Sequence, residues 1–316
     1  MQRSVLVRNP ESGDQAASVQ AAALAEERGY EIRNTSESGD EVALAREAAE
    51  SGADRVVACG GDGTLNGVVR GVQEASRLDD VTLGVVPAGT GNGFADNVGI
   101  RGVEHAFEVL DGGEVRRLDL GVVESLGDGP DTPGNSVLSP EGTTGRPFLN
   151  SCVCGLTAEA SARTESELKK RVGTLAYVLT TLQHTRDFEG LKLDIRAGPE
   201  ADPVWSGEAL VLLVGNARRF PGRQADMEDG KLDLLVVERA PAIDYLASGA
   251  VDRFFRGGDS RLTRLTVPSV LVDATEPRQF SLDGEMVEHD RLSIETRERA
   301  ISFAVGESYE PHPTFE

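Results

Sequence analysis

Lysine is nearly missing from this 316-residue chain. Only Lys169, Lys170, Lys192 and Lys231 occur, and every other basic residue is arginine. The 32 basic residues stand against 53 acidic ones, for a net charge of −21. Such a surface excludes DNA or RNA as a partner, because phosphate backbones are bound by basic patches. The acids run along the whole chain and form no tail. An even spread marks no single cation-binding face. It reads instead as adaptation to high salt, where self-repulsion is screened.

Cysteine is scarce as well. Cys59, Cys152 and Cys154 build no disulfide framework, and Cys152-x-Cys154 is too tight for a zinc knuckle. All three are expected to be small buried hydrophobes in strands. His105, His184, His289 and His312 lack metal-ligand spacing. No apolar run approaches the roughly 18 residues of a membrane span. The opening Met1-Gln2-Arg3-Ser4-Val5-Leu6-Val7 enters a strand pattern with no signal-peptide core, so a cytoplasmic location is expected. At 39% hydrophobic and 27% charged, the chain is expected to be globular, with one large domain or two modest ones.

The first part alternates strand and helix patterns. Strands are expected at 4–8, 55–59 and 82–86, and helices at 14–28, 41–51, 64–77 and 103–110, with Asp40 capping the second helix. That rhythm predicts a parallel sheet covered by helices. After about residue 115 strand patterns dominate: 117–123, 148–154, 191–195, 208–214, 232–237, 262–272, 278–282, 292–295 and 300–305. Helical patterns interrupt them at 158–182 and 242–255, and 124–146 reads as a long Gly/Pro/Ser-rich hairpin loop. The fold class expected is α/β plus β: an α/β domain over 1–122, a mainly antiparallel β domain over 123–305, and a tail over 306–316 returning to the first domain.

Two Gly-rich turns carry the chemistry. Cys59-Gly60-Gly61-Asp62-Gly63-Thr64-Leu65-Asn66 follows a hydrophobic strand and opens a helix. Glycines let a ligand approach the backbone, and N–H groups at a helix start hold phosphates. Asp62 would repel a phosphate without an intervening cation, which points to Mg²⁺. Pro87-Ala88-Gly89-Thr90-Gly91-Asn92-Gly93-Phe94-Ala95 follows a second strand and offers Thr90 and Asn92 as hydrogen-bond partners. An ordinary strand-to-helix turn accounts for one such segment. Two of them at the C-terminal ends of neighbouring parallel strands point to a ligand site.

These two segments resemble the nucleotide-binding motifs of the diacylglycerol kinase catalytic family. Asn9-Pro10-Glu11-Ser12-Gly13 resembles its opening motif, and Ser281-Leu282-Asp283-Gly284-Glu285 its late Asp-Gly-Glu motif. Gly215-Asn216 and Glu228-Asp229-Gly230-Lys231-Leu232-Asp233 resemble two further landmarks, so the resemblance runs from Asn9 to Glu285. It implies an α/β nucleotide-binding domain, a β-sandwich-like second domain, and an active site in the cleft between them. It implies ATP and Mg²⁺ as cofactors. Asn9, Ser12, Gly60, Gly61, Asp62, Gly63, Thr64, Gly89, Thr90 and Asn92 match the nucleotide site. Asp283 matches the general base, and Glu285 and Asp62 match acids supporting metal or water near the phosphates. Asp229, with the carbonyls of Lys231 and Leu232, matches a metal site in the second domain. Taken alone, Asp283-Gly284 fits a plain hairpin turn.

One departure is Gly93, where several bacterial members carry an acid; sphingoid-base kinases also have a small residue there. The implied substrate is a lipid alcohol taken from a membrane surface by a peripheral enzyme of phospholipid biosynthesis, and a homodimer is compatible. Candidate apolar lining is Leu175, Tyr177, Val178, Leu182 and Phe188. Candidate membrane-docking clusters are Arg163/Lys169/Lys170/Arg171 and Arg253-Phe254-Phe255-Arg256. Two other readings compete: an NAD kinase, whose Gly-Ser-Thr-Ala-Tyr segment is missing here, and a non-catalytic nucleotide-binding regulatory protein.

Overall fold

The computed structural model describes residues 3–11, 13–126, 145–155, 190–217, 219–220, 223–239 and 261–313. Ser12, the expected helices at 158–182 and 242–255, all the apolar-lining and docking candidates, and most of the 124–146 loop lie outside these residues.

The first part builds β1 (Ser4–Arg8), α1 (Gln15–Glu27), β2 (Glu31–Asn34), α2 (Asp40–Glu50), β3 (Arg55–Gly60), α3 (Asp62–Glu74), β4 (Thr82–Pro87), α4 (Gly93–Asn97) and α5 (Val103–Gly112). Val5, Leu6 and Val7 are wholly buried, as are Val56, Val57, Ala58 and Cys59. Continuous apolar runs of this kind belong to parallel strands covered on both faces. The strands pair in parallel in the order β2-β1-β3-β4. Asp14 caps α1 by accepting the Ala17 N–H at 3.0 Å.

Two local expectations need correction. β2 is a strand that its short, polar sequence, with little alternation, does not announce; pairing with β1 decides it. Asp40 does not cap α2. Gly39 takes the cap position at φ 95°, and Asp40 becomes the first helical residue. Its carboxylate turns back to accept the Ser36 and Glu37 N–H groups, each at 2.8 Å.

The remaining strands are β5 (Glu114–Ser125), β6 (Arg146–Phe148), β7 (Ser151–Gly155), β8 (Leu191–Ala197), β9 (Asp202–Gly215), β10 (Arg219–Phe220), β11 (Arg223–Gln224), β12 (Leu232–Glu238), β13 (Leu262–Val267), β14 (Ser269–Leu282) and β15 (Glu285–Val305). Pro268, which has no N–H, separates β13 from β14 where one strand was expected over 262–272. The expected strand over 148–154 is also split: Leu149 and Asn150, between β6 and β7, leave the ladder and turn their N–H groups toward a side chain. Conversely, the separate runs at 292–295 and 300–305 join in the 21-residue β15.

β15 connects the two parts. Its first half pairs antiparallel with β14, while near its end Ser302 and Phe303 pair in parallel with Thr82 and Leu83 of β4. β5 runs antiparallel beside it from Glu114 to Ser125. Parallel and antiparallel strands thus share one hydrogen-bonded sheet over two hydrophobic clusters. One cluster lies among β1, β3, β4 and their helices; the other lies among β7, β8, β9, β12, β14 and the first half of β15. Cys59 is buried in β3, and Cys152 and Cys154 are buried in β7.

Candidate active site

Three turns meet at the C-terminal ends of β1, β3 and β4, and glycine is what lets them touch. A Cβ on Gly89 would lie 2.3 Å from the Gly61 Cα, and one on Gly61 would lie 2.8 Å from the Gly91 carbonyl oxygen. A Cβ on Gly13 would lie 2.2 Å from Cγ2 of Thr90. Contacts that short admit no side chain at Gly61 or Gly89 without moving backbone. Main-chain bonds lock the arrangement: Asn9 N–H to Cys59 O at 3.1 Å, Asp14 N–H to Ala88 O at 3.0 Å, and Ala88 N–H to Gly60 O at 3.0 Å. No side chain caps the start of α3, where Gly63 and Thr64 lie in the first turn. That leaves a helix N-terminus facing the turns, the arrangement that suits phosphate.

Asp62, Asn92 and Asn9 serve these turns directly. The Asp62 carboxylate accepts the Gly93 and Phe94 N–H groups, each at 2.9 Å, and so caps α4. Burial raises the Asp62 pKa, nearby Asp96 adds to the rise, and the N–H donors oppose it. Asn92 closes its own turn, accepting the Gly89 N–H at 3.1 Å and donating to the Gly89 carbonyl at 2.8 Å. Asn9 accepts the Glu11 N–H at 3.0 Å.

Asp283 sits at the tip of the β14–β15 hairpin with φ 50°, a left-handed conformation rare outside glycine. Its Oδ1 accepts the Asn150 and Ser151 N–H groups, each at 2.9 Å. Its Oδ2 accepts the Leu149 N–H at 2.6 Å and the Asn66 amide at 3.1 Å. Burial nonetheless dominates and pushes its pKa up to about 6. Asn150 gives its main-chain N–H to Asp283, and its side-chain oxygen accepts the Asn97 amide of α4 at 3.1 Å. Glu285, two residues on, forms an ion pair with Arg146.

Asp229 lies elsewhere. Its Oδ1 accepts the Lys231 N–H at 3.0 Å, closing a turn before Leu232 opens β12. Beside it is Asp119, 1% exposed, whose oxygens accept the Gly230 and Arg299 N–H groups, each at 2.7 Å. Burial raises the Asp119 pKa to about 6, with Asp229 and Glu298 adding to the rise. Among the described residues no three His, Cys, Asp or Glu side chains converge as a metal cluster.

The structure thus brings Asp62, Asp283 and the Gly-rich turns together and sets Asp229 apart. The sequence reading missed Asn66, Asn150 and Asp119 as site residues. Asn66 closes the first Gly-rich segment and was visible there. Nothing local to Asn150 or Asp119 signals contacts reached across more than a hundred residues.

A family model described as the diacylglycerol kinase catalytic domain matches residues 3–123. "Probable lipid kinase YegS-like" from Pseudomonas aeruginosa (strain UCBPP-PA14) is 30% identical over 292 residues, covering 89% of this chain and 87% of the relative. "Diacylglycerol kinase" from Bacillus subtilis (strain 168) is 28% identical over 301 residues, covering 90% of each. The crystal structure of a diacylglycerol kinase from Bacillus anthracis str. Sterne superposes with a TM-score of 0.68 at 18% identity, covering 98% of each chain, which speaks for the fold. On the family match and a 30%-identical relative that it covers over 87% of its length, the chain belongs to the diacylglycerol kinase catalytic domain family of lipid kinases, phosphotransferases whose acceptor is an alcohol group.

Proposed function

We propose that this protein uses ATP and Mg²⁺ to phosphorylate a hydroxyl of diacylglycerol or a related lipid alcohol, with Asp283 as the general base. The observation that carries the reading is the placement of Asp283. Its carboxylate is tied through Asn66 to α3, the helix that opens at the first Gly-rich turn, and through Asn150 to Asn97 of α4, which follows the second. With a pKa near 6 it is ionised at neutral pH yet more basic than an ordinary carboxylate. The hydroxyl proton passes to an Asp283 oxygen as the new O–P bond forms. The bond from the γ-phosphorus to its bridging oxygen breaks, and that electron pair leaves with ADP.

The residues present fit the nucleotide. Gly61 and Gly89 hold the two turns in contact through main chain without side chains, and at the start of α3, which has no side-chain cap, the Asp62 N–H meets the Gly91 carbonyl while Gly63 and Thr64 follow in the first turn. They also fit a hard cation. Asp229 with the Lys231 and Leu232 carbonyls is an all-oxygen donor set, beside the mutually repelling Asp119 and Glu298. When bound, Mg²⁺ supplies positive charge against phosphate and carboxylate oxygens. In this reading Asp62 holds the second turn in shape, and the Arg146–Glu285 pair borders the base. Division into domains near residues 122 and 305 belongs to the same proposal, as does peripheral membrane action; of the second range, Ile301, Phe303, Ala304 and Val305 pack in the first hydrophobic cluster.

Gly93 favours a second reading of the acceptor. A Cβ there would lie 3.2 Å from Oδ2 of Asp62, and α4 carries no acid at that position, as in the sphingoid-base kinases it resembles. Transfer of label from γ-labelled ATP to diacylglycerol, a sphingoid base and NAD, in mixed micelles with Mg²⁺ and molar KCl, tests both. Label in a lipid that disappears in Asp283→Asn supports the proposal and names the acceptor class. Label in NAD, or ATP binding without transfer, overturns it.

Gly89→Ala gives a separate check on the cradle. The added methyl must displace the Gly61 backbone. The variant is expected to lose about 1–3 kcal/mol of stability in urea unfolding, and to weaken ATP binding by at least about tenfold in calorimetry.

A further inference from the structure

Asn66 lies in the second turn of α3 and is 4% exposed. A buried amide is stable only when its polar atoms find partners. Its nitrogen donates to the Pro147 carbonyl at 3.0 Å and to Oδ2 of Asp283 at 3.1 Å. Neither partner has a hydrogen to offer when Asp283 is ionised, so only the NH₂ end of the amide fits between them. The amide orientation is therefore set by chemistry. The other three donors to Asp283 are main-chain N–H groups of residues 149–151. Asn66 is the donor that comes from the helix opening at the first Gly-rich turn.

We propose that Asn66 is a positioning residue for phosphoryl transfer: from the helix that begins at the nucleotide turn, its side-chain amide holds Oδ2 of Asp283 and orients that carboxylate relative to the turn. The inference rests on the reading of Asp283 as proton acceptor. Without the amide, Oδ2 keeps only the Leu149 N–H, and the carboxylate gains freedom to rotate about its bond to Cβ. Small misplacements of a reacting group slow catalysis severely. The Asn66 amide nitrogen contacts residues 147 and 283 and neither Gly-rich turn, so ATP affinity should survive its loss.

The test uses the full chain with Asn66→Leu, of similar volume, and Asn66→Ser where the leucine lowers the thermal midpoint. Two quantities are compared with wild type: kcat for label transfer, and the ATP Kd measured without acceptor. The expected result is a kcat lower by roughly 10- to 100-fold, the worth of one hydrogen bond to a charged group, with Kd changed by less than about twofold. In an Asp283→Asn background the Asn66 substitution should add no further loss, because the carboxylate it orients is gone. Where transfer by Asp283→Asn falls below detection, the comparison of kcat with Kd decides alone. An unchanged kcat, a Kd rising in step with the loss, or losses that multiply in the double variant overturn the inference and leave Asp283 as base. Full transfer by Asp283→Asn alone overturns that reading and the inference with it.

Discussion

Asp283→Asn is expected to lower kcat by about 10²- to 10⁴-fold, the range over which a positioned acid–base group acts. ATP binding should persist, because the turns at Gly61 and Gly89 are held by their own backbone contacts and by Asp62. The new amide has only one oxygen. Its NH₂ must face one of the two donor pairs now on the carboxylate, either Leu149 with Asn66 or Asn150 with Ser151. A modest fall in thermal midpoint is expected with the loss of activity. Retained ATP affinity separates a chemical defect from unfolding. The wild-type pH profile gives an independent check. Asp283 must be ionised to accept a proton, and burial raises its pKa to about 6. Activity that depends on it is therefore complete above that pH and lost below it. The acid limb of kcat/KM should fall about tenfold per pH unit below its pKa. A profile flat down to pH 5 would remove Asp283 from the base role.

Asp119→Ala is expected to be the most damaging change away from the reacting groups, lowering stability by about 2–4 kcal/mol. Each oxygen of this buried carboxylate accepts a main-chain N–H at 2.7 Å, one from Gly230 and one from Arg299. Its own N–H donates to the Met227 carbonyl at 2.8 Å. Arg299 lies where the β15 register shifts against β5, with φ 48°. A carboxylate that satisfies the Arg299 N–H keeps this irregular turn of chain in place. Alanine leaves two N–H groups without partners in a buried setting, and each such loss is worth about 1–3 kcal/mol. Since whole-protein stabilities are about 5–15 kcal/mol, the effect is large. Urea unfolding of Asp119→Ala beside Asp119→Asn, which keeps one acceptor, measures it. Equal stability of both variants and wild type would show that water replaces the carboxylate.

The sequence by itself determined the elements whose cause is local. β1 follows from an unbroken apolar run, α1 from Asp14 at its start, and the two Gly-rich turns from their runs of small residues after an apolar strand. The hairpin at Asp283-Gly284 was equally legible, as was the family its motifs resemble. Tertiary structure alone decided what required partners distant in sequence. Alternating apolar residues mark a strand without naming its neighbour, so neither the length of β15 nor its bridge from β14 to β4 could be read from 285–305. Residues 148–154 carry a strand pattern, yet the carboxylate of Asp283 claims the N–H groups of Leu149 and Asn150, where the strand breaks. Asn66 and Asp283 are 217 positions apart, and Asp119 and Arg299 are 180 apart. A hydrogen bond across such a gap leaves no trace in the local pattern of either segment. It forms because packing of β14, β15 and α3 brings donor and acceptor to about 3 Å, and burial then makes leaving either one unpaired unfavourable.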